Sequence, residues 1–195
     1  ASVRDAARPW LRGVRTAARD QGRVALVDLP GNLSGRLALD AGLAADADVI
    51  LVPERAYAPG QVAQWLDARP RSALVVVAEG AHTSEEAAPR DDSPMLDRAL
   101  IHRAGRVAQQ VCENVQRHCS RDIVPVVLNQ LVRTGAVSPD DTVLGQAYAR
   151  AAVDALASGH AAHLMAARGT SMHTVPMAQA VNRISVIGED SPLLA

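Results

Sequence analysis

Three short runs of apolar and β-branched residues constrain this chain more than any other feature: VALVDL (24–29), DVILVP (48–53) and SALVVVAEGA (72–81). None alternates apolar with polar residues, so strands formed by them cannot leave a face in water. Segments of helical pattern separate them, and a fourth run, DIVPVVL (122–128), follows a long helical stretch. Strands that alternate with helices and are apolar on both faces call for an α/β fold. The expected architecture is an open, mainly parallel sheet with helices on both faces.

The first two runs bracket a unit ending at Glu54. After the strand, PGNLSG (30–35) is a loop with two glycines, Gly31 and Gly35. Ser34 is the expected N-cap of a helix over 36–47, whose apolar stripe is Leu37, Leu39 and Leu43. The second strand, 48–53, ends in the carboxylate of Glu54. A strand feeding a glycine loop and a helix N-terminus presents free backbone N–H groups and the positive end of the helix dipole, which suits an anion.

Elsewhere, residues 2–20 read as an amphipathic helix with Val3, Trp10, Leu11 and Val14 set among arginines, ended by Gln21-Gly22. Tyr57–Gly60 is a turn, 61–69 a short helix, and 82–93 a polar surface loop. A helical pattern over 94–119 carries Leu96, Leu100, Val107, Val111 and Val115. SPDD opens another helix, with Ser138 as N-cap, Pro139 in the first turn and Asp140 and Asp141 on the positive dipole end. It runs to about Ser158-Gly159. A strand over 163–169, a turn or short strand over 170–176 and a short helix over 177–183 follow. The organisation expected is one domain: an N-terminal helix (1–21), core βα units (22–133), and a crossover helix and strand (134–186).

The 195 residues are 48% hydrophobic but only 2% aromatic, with no Phe. Ala, Val and Leu must fill the core, and so many small side chains would gain from a partner surface. All 20 basic residues are Arg. The absence of Lys excludes Schiff-base chemistry and a P-loop lysine. Arginine suits bidentate phosphate or carboxylate recognition, and equally reflects a GC-rich coding bias. A net charge of −1 and no basic stripe with interleaved aromatics exclude a nucleic-acid footprint. Cys112 and Cys119, seven apart in a helical pattern, are expected on one helix face as reduced thiols. No signal peptide and no long apolar run is present, so the expectation is a soluble, cytoplasmic chain with no membrane partner. It begins at Ala1, which fits a processed chain or a piece of a longer one.

In an open parallel sheet, ligands bind beyond the carboxyl ends of the strands. Asp28, Asn32, Ser34, Glu54, Glu79, Asn129, Gln130 and Arg133 fall there. Two carboxylates and an arginine on one rim suit a polyhydroxylated, phosphorylated small molecule: Asp28 and Glu54 accept hydroxyl hydrogen bonds, and Arg133 forks onto a phosphate. The plainer alternative is polar residues that merely finish the strands. His160 and His163, three apart, share a helix face on this reading but have no third ligand at a recognisable spacing. No GxSxG, GxGxxG, HExxH or CxxC occurs.

Three stretches, in this order, resemble the C-terminal half of the phosphofructokinase family: VDLPGNLSGRLALDAGLAADADVILVPE, VVVAEGA (75–81), and VLNQLVRTGAVSPDDTVLGQAYARAAVDALASG. The resemblance spans roughly residues 10–185. It implies that the Glu of the family's Pro-Glu, which holds a sugar hydroxyl, is Glu54. The Arg of its Gln-Arg-Gly-Gly, which faces the sugar phosphate, is Arg133. The Met and Arg of Met-Gly-Arg fall on Pro30 and Asn32, the Gly and His of Leu-Gly-His on Asn129 and Gln130, and an upstream phosphate-binding Arg near Val124. Each lost charge-assisted phosphate contact costs roughly 1.5–3 kcal/mol.

The family's donor-binding Gly-Gly loops and its Thr-Ile-Asp-Asn-Asp-like catalytic base have no counterpart here. Phosphoryl transfer rests on metal, donor cradle and base, so the resemblance implies a half-enzyme that is not active alone. ATP or pyrophosphate with Mg²⁺ would enter only with a partner lobe, supplied by another chain or replaced by self-association. The apolar face of helix 139–158 would meet it. The alternatives are a degenerate, non-catalytic relative that binds, regulates or scaffolds, and an unrelated Rossmann-like ligand domain.

Overall fold

The computed structural model describes residues 2–68, 72–86, 106–128, 131–180, 185–188 and 190–192. Helix α1 is Ser2–Gln21, strand β1 Val24–Leu29, α2 Arg36–Ala44, β2 Val49–Leu51, α3 Pro59–Asp67 and β3 Ala73–Ala78. Then come α4 Val107–Gln116, β4 Ile123–Val127, a 3₁₀ turn Leu131–Arg133, α5 Pro139–Ala157, β5 His163–Arg168, β6 Ser171–Pro176 and α6 Met177–Ala180.

The first four strands form one parallel sheet in the order β2-β3-β1-β4. Asp28 of β1 lies opposite Val77 of β3 and Val127 of β4. Every residue of β1 and β3 is buried, as unbroken apolar runs require. On one face Val24, Leu26, Val75 and Val77 pack with Val62 and Leu66 of α3 and Val107, Val111 and Val115 of α4. On the other, Ala25, Val27, Leu29, Leu74 and Val76 pack with Ala7, Leu11 and Ala18 of α1 and Ala38 and Ala41 of α2. Each inward-facing β-branched or leucine side chain removed from water contributes roughly 1.5–3 kcal/mol.

Several local expectations change. Trp10 is 48% exposed and Val3 also faces outward; Ala7, Leu11 and Ala18 make the buried face of α1. In α2 the buried positions are Ala38, Leu39, Ala41 and Gly42, while Leu43 is exposed. The sheet is close enough that small residues win over leucine. α2 stops at Ala44, three residues early, and β2 spans only three residues. Leu96 and Leu100 lie outside the described residues. Cys112 is buried in α4, but Cys119 falls beyond its end, so the two do not share a helix. Gly13 sits in α1 with open space where a Cβ would go. Gly13→Ala should therefore raise the free energy of unfolding by about 0.8–1 kcal/mol in urea titrations, through helix propensity alone.

The chain divides into two compact units: Val3–Gly135 with Ile184–Ala195, and Ala136–Arg183 with Ala1–Ser2. In the second, Ser138 caps α5 as expected, its Oγ accepting from the Asp141 N–H at 3.2 Å. Of the 19 residues of α5 only Ala155 is buried; Val143, Leu144, Val153 and Leu156 are exposed. Residues 171–176 form a full strand, antiparallel to β5. His160 and His163 do not share a helix face, because α5 ends at Ala157 and His163 opens β5. No helix among the described residues is long and apolar enough to cross a membrane.

Candidate functional site

Parallel strands place their carboxyl ends on one edge. Helix α2, which follows β1, packs on one face of the sheet, and α4, the next described helix after β3, packs on the other. Adjacent strands whose continuations depart to opposite faces open a crevice between them. That position in this sheet is beyond the paired residues Leu29 and Ala78, where the loop 30–35 meets residues 79–83.

The two loops are joined backbone to backbone. The Glu79 N–H donates to the Leu29 carbonyl at 3.1 Å, and the Gly80 N–H to the Gly31 carbonyl at 2.9 Å. Gly31 has a φ of 150°, and a Cβ there would meet the Ser34 carbonyl oxygen at 2.5 Å. A Cβ on Gly80 would stand 1.8 Å from the Asn32 carbonyl oxygen. Only glycine lets these segments touch.

Asp28 is fully buried near the end of β1. It alternates in phase with Val24 and Leu26, so it faces the α3/α4 side of the sheet, at the N-terminus of α4. Neither oxygen has a well-formed hydrogen bond among the described residues. Burial pushes its carboxyl up to about 7, the charge of Glu79 adds to the rise, and the Ala108 backbone N–H pulls it back. Glu79 is almost fully buried as well. Burial raises its pKa, while the Gly31 N–H, 3.5 Å from Oε2, and the charge of Arg133 lower it. Arg133 rides on the 3₁₀ turn anchored by buried Val132, with its own side chain exposed. Glu79 thus interacts electrostatically with both a carboxyl whose pKa is raised to about 7 and the charge of Arg133. Asn32 is at the crevice, its Oδ1 buried and without a partner among the described residues.

Glu54 is differently engaged. Both its oxygens lie near the Gly35 N–H, at 3.1 and 3.0 Å, and Oε1 also accepts from the Ile187 N–H at 3.0 Å. Gly35 is the N-cap residue of α2, and Ser34 does not perform the capping expected of it: its Oγ is 3.5 Å from the Arg36 N–H. The Glu54 carboxylate takes over that role across the loop. Ile187 buries against Leu39 and Val52, so Glu54 ties together the loop, the end of β2 and a segment far along the chain. Glu54→Ala should lower the free energy of unfolding by about 2 kcal/mol in urea titrations, the scale of hydrogen bonds to a charged acceptor.

Asn129 and Gln130 lie outside the described residues. Val124 is in β4, paired with Ala25. His82 is a residue that sequence reading passed over: it is buried, and its Nδ1 has no partner among the described residues. A solitary histidine in a polar loop carries no periodic signal, so only packing reveals it. Among the described residues no group of three or more His, Cys, Asp or Glu side chains is placed to hold a metal ion. The arrangement offers a carboxylate acceptor for a hydroxyl, a guanidinium for a phosphate, and, interacting with the carboxylate, a buried carboxyl whose pKa is raised to about 7.

The family model described as phosphofructokinase matches residues 5–156. The ATP-dependent 6-phosphofructokinase of Chloroflexus aggregans is 36% identical over 185 residues, covering 93% of this chain and 50% of the relative. The pyrophosphate–fructose 6-phosphate 1-phosphotransferase of Streptomyces coelicolor is 32% identical over 182 residues, covering 89% and 52%. The chain therefore spans about half the length of these curated relatives. Among solved structures, phosphofructokinase from Saccharomyces cerevisiae superposes with a TM-score of 0.72 at 21% identity, covering 92% of this chain and 23% of that one. A pyrophosphate-dependent phosphofructokinase from Marinobacter aquaeolei gives 0.70 at 18%, covering 94% and 48%. At these identities the superpositions establish the α/β fold.

Proposed function

Because the chain belongs to the phosphofructokinase family, we propose that it supplies the sugar-phosphate side of a phosphoryl-transfer site for a fructose 6-phosphate-like substrate. The donor site and the catalytic base then come from residues outside these 195. The observation that carries this reading is that Glu79, buried just past the end of β3, and Arg133, exposed on the 3₁₀ turn after β4, are near enough for the guanidinium charge to lower the pKa of the carboxyl. A carboxylate and an arginine held by different segments suit a hydroxyl and a phosphate of one small molecule.

The resemblance assigns the hydroxyl contact to Glu54. Since that carboxylate is turned onto two backbone amides, we assign it to Glu79, with Asp28 and Asn32 at the same edge of the sheet and Gln130, outside the described residues, kept as a candidate. The named relatives include both ATP-dependent and pyrophosphate-dependent enzymes, so either donor with Mg²⁺ fits, brought by a partner lobe. The exposed apolar residues of α5 suit such a partner, in a second chain or in a further part of the same polypeptide.

The test is calorimetric titration of fructose 6-phosphate into the protein with its native partners, alongside turnover with ATP or pyrophosphate. Arg133→Met should weaken binding about 10–100-fold by removing a charge-assisted phosphate contact. Binding without turnover, or neither, would favour the second reading: a non-catalytic relative that binds or regulates. Two observations lean that way, namely Asn32 where the resemblance places an arginine, and the committed carboxylate of Glu54.

A further inference from the structure

In the segment 185–188 a single side chain is buried. Ser185, Val186 and Gly188 are exposed, whereas Ile187 is 6% exposed and packs on Leu39 of α2 and on Val52, just past β2. The segment is held by one isoleucine between exposed neighbours, so what Ile187 touches decides what it does.

Three routes lead from Ile187 to Gly35, the last residue of the loop 30–35. The Ile187 N–H donates to Glu54 Oε1 at 3.0 Å, and the Gly35 N–H lies 3.1 Å from that oxygen and 3.0 Å from Oε2. The Ile187 side chain meets Leu39, whose N–H donates to the Gly35 carbonyl at 2.8 Å. It also meets Val52, which lies so close to Gly35 that an added Cβ there would come within 2.5 Å of Val52 Cγ1. The N–H, the carbonyl and the Cα of Gly35 are thus each fixed by a residue that Ile187 contacts. The other end of the loop is fixed separately, by the Gly31 carbonyl accepting from the Gly80 N–H at 2.9 Å. Asn32, Leu33 and Ser34 are strung between these two anchors. Only the second anchor depends on a residue 133 positions from Glu54 along the chain.

We propose that Ile187 is a positioning residue for the sugar-phosphate loop: acting through Glu54, Leu39 and Val52, it sets where Gly35 stands and so how the loop presents Asn32 to a ligand. Burial against Leu39 and Val52 brings the N–H to Oε1, and a hydrogen bond to a carboxylate is short and directional enough to fix the carboxyl that Gly35 needs. The effect on binding rests on the sugar-phosphate reading, whereas the effect on the loop stands without it.

Fructose 6-phosphate is titrated by calorimetry into the protein with its native partners, well below the melting midpoint of every variant. Misplacing a contact by about 1 Å costs as much as a hundredfold, so the partial release in Ile187→Ala should weaken binding about 5–10-fold. Ile187→Val, which keeps the β-branched contact, should stay within about twofold of the parent. Leu66→Ala is the control for lost stability. Leu66 is 1% exposed and its carbonyl accepts from Arg121, just ahead of β4, at the opposite edge of the sheet. It should lower the melting midpoint and leave binding within about twofold. Binding by Ile187→Ala within that span, or an equal loss in Leu66→Ala, overturns the proposal. If the parent does not bind fructose 6-phosphate, the sugar-phosphate reading fails, and the amide signals of Gly31 and Gly35 in NMR spectra decide the proposal. Both should shift in Ile187→Ala and neither in Leu66→Ala; a Gly31 signal that stays in place overturns it. Should Ile187→Ala not fold, Ile187→Thr, which keeps the shape of valine but not its apolar surface, is judged on the same two signals.

Discussion

Asp28→Asn should stabilise the protein at about pH 8 and leave it nearly unchanged at about pH 4, as follows from the linkage between proton binding and folding. The carboxyl titrates near 3.8 in the unfolded chain and near 7 in the fold. Between those values the folded state keeps a proton that the unfolded state has lost, so stability falls as pH rises, by about 1.4 kcal/mol per unit. The penalty is absent below the lower value and complete above the upper one, where it approaches about 4 kcal/mol. Asparagine keeps the shape and an acceptor towards the Ala108 N–H but carries no charge. Urea unfolding across this range should show the variant gaining on the parent throughout, with the parent's slope flattened. An unchanged slope would mean that another group carries the dependence. Such a penalty on a strand otherwise wholly apolar marks Asp28 as a candidate site residue.

Gly80→Ala should cost about 3 kcal/mol, the upper end for overpacking. The added Cβ would stand 1.8 Å from the Asn32 carbonyl oxygen, and backbone faces backbone there, so no side chain can swing aside. The loops must separate, which breaks the Gly80 N–H to Gly31 carbonyl bond that joins them. For a chain of this size the melting midpoint should fall by roughly 6–12 °C. Gly13→Ala is the control in the opposite direction. A Gly80→Ala variant melting with the parent would show that the two loops do not meet in this way. Because the same loops carry Asn32 and Glu79, ligand binding should fall with stability.

Strands β1 and β3 were legible because burial on both faces leaves an unbroken apolar run; the edge strands β2 and β4 carry similar runs but are only partly buried, since each has a neighbour on one side alone. The four-stranded parallel sheet and the flanking helices followed from that pattern. The cap of α5 was legible too, since Ser138 acts on Asp141, three residues away. Capping of α2 was not: local spacing pointed to Ser34, but the acceptor is Glu54, nineteen residues on, which a second amide from Ile187 also engages. Trp10 shows the same limit. Helical periodicity locates an apolar stripe, but how near the sheet lies decides whether Trp10 or Ala7 can face it.

The amino-acid sequence by itself determined the α/β class, the family, and the edge of the sheet at which Asp28, Glu79 and Arg133 would be found. These depend on periodicity and on which strand end a residue follows, both local properties. Tertiary structure alone decided what surrounds each carboxylate. Glu54 and Glu79 each follow the carboxyl end of a strand, and the local Pro-Glu match pointed to Glu54. The difference is in their neighbours: Glu54 meets two amides from remote segments, whereas Glu79 meets a buried carboxyl and the charge of Arg133. Charge and hydrogen bonding act through space, so the surroundings of each carboxylate were fixed only when the loops closed.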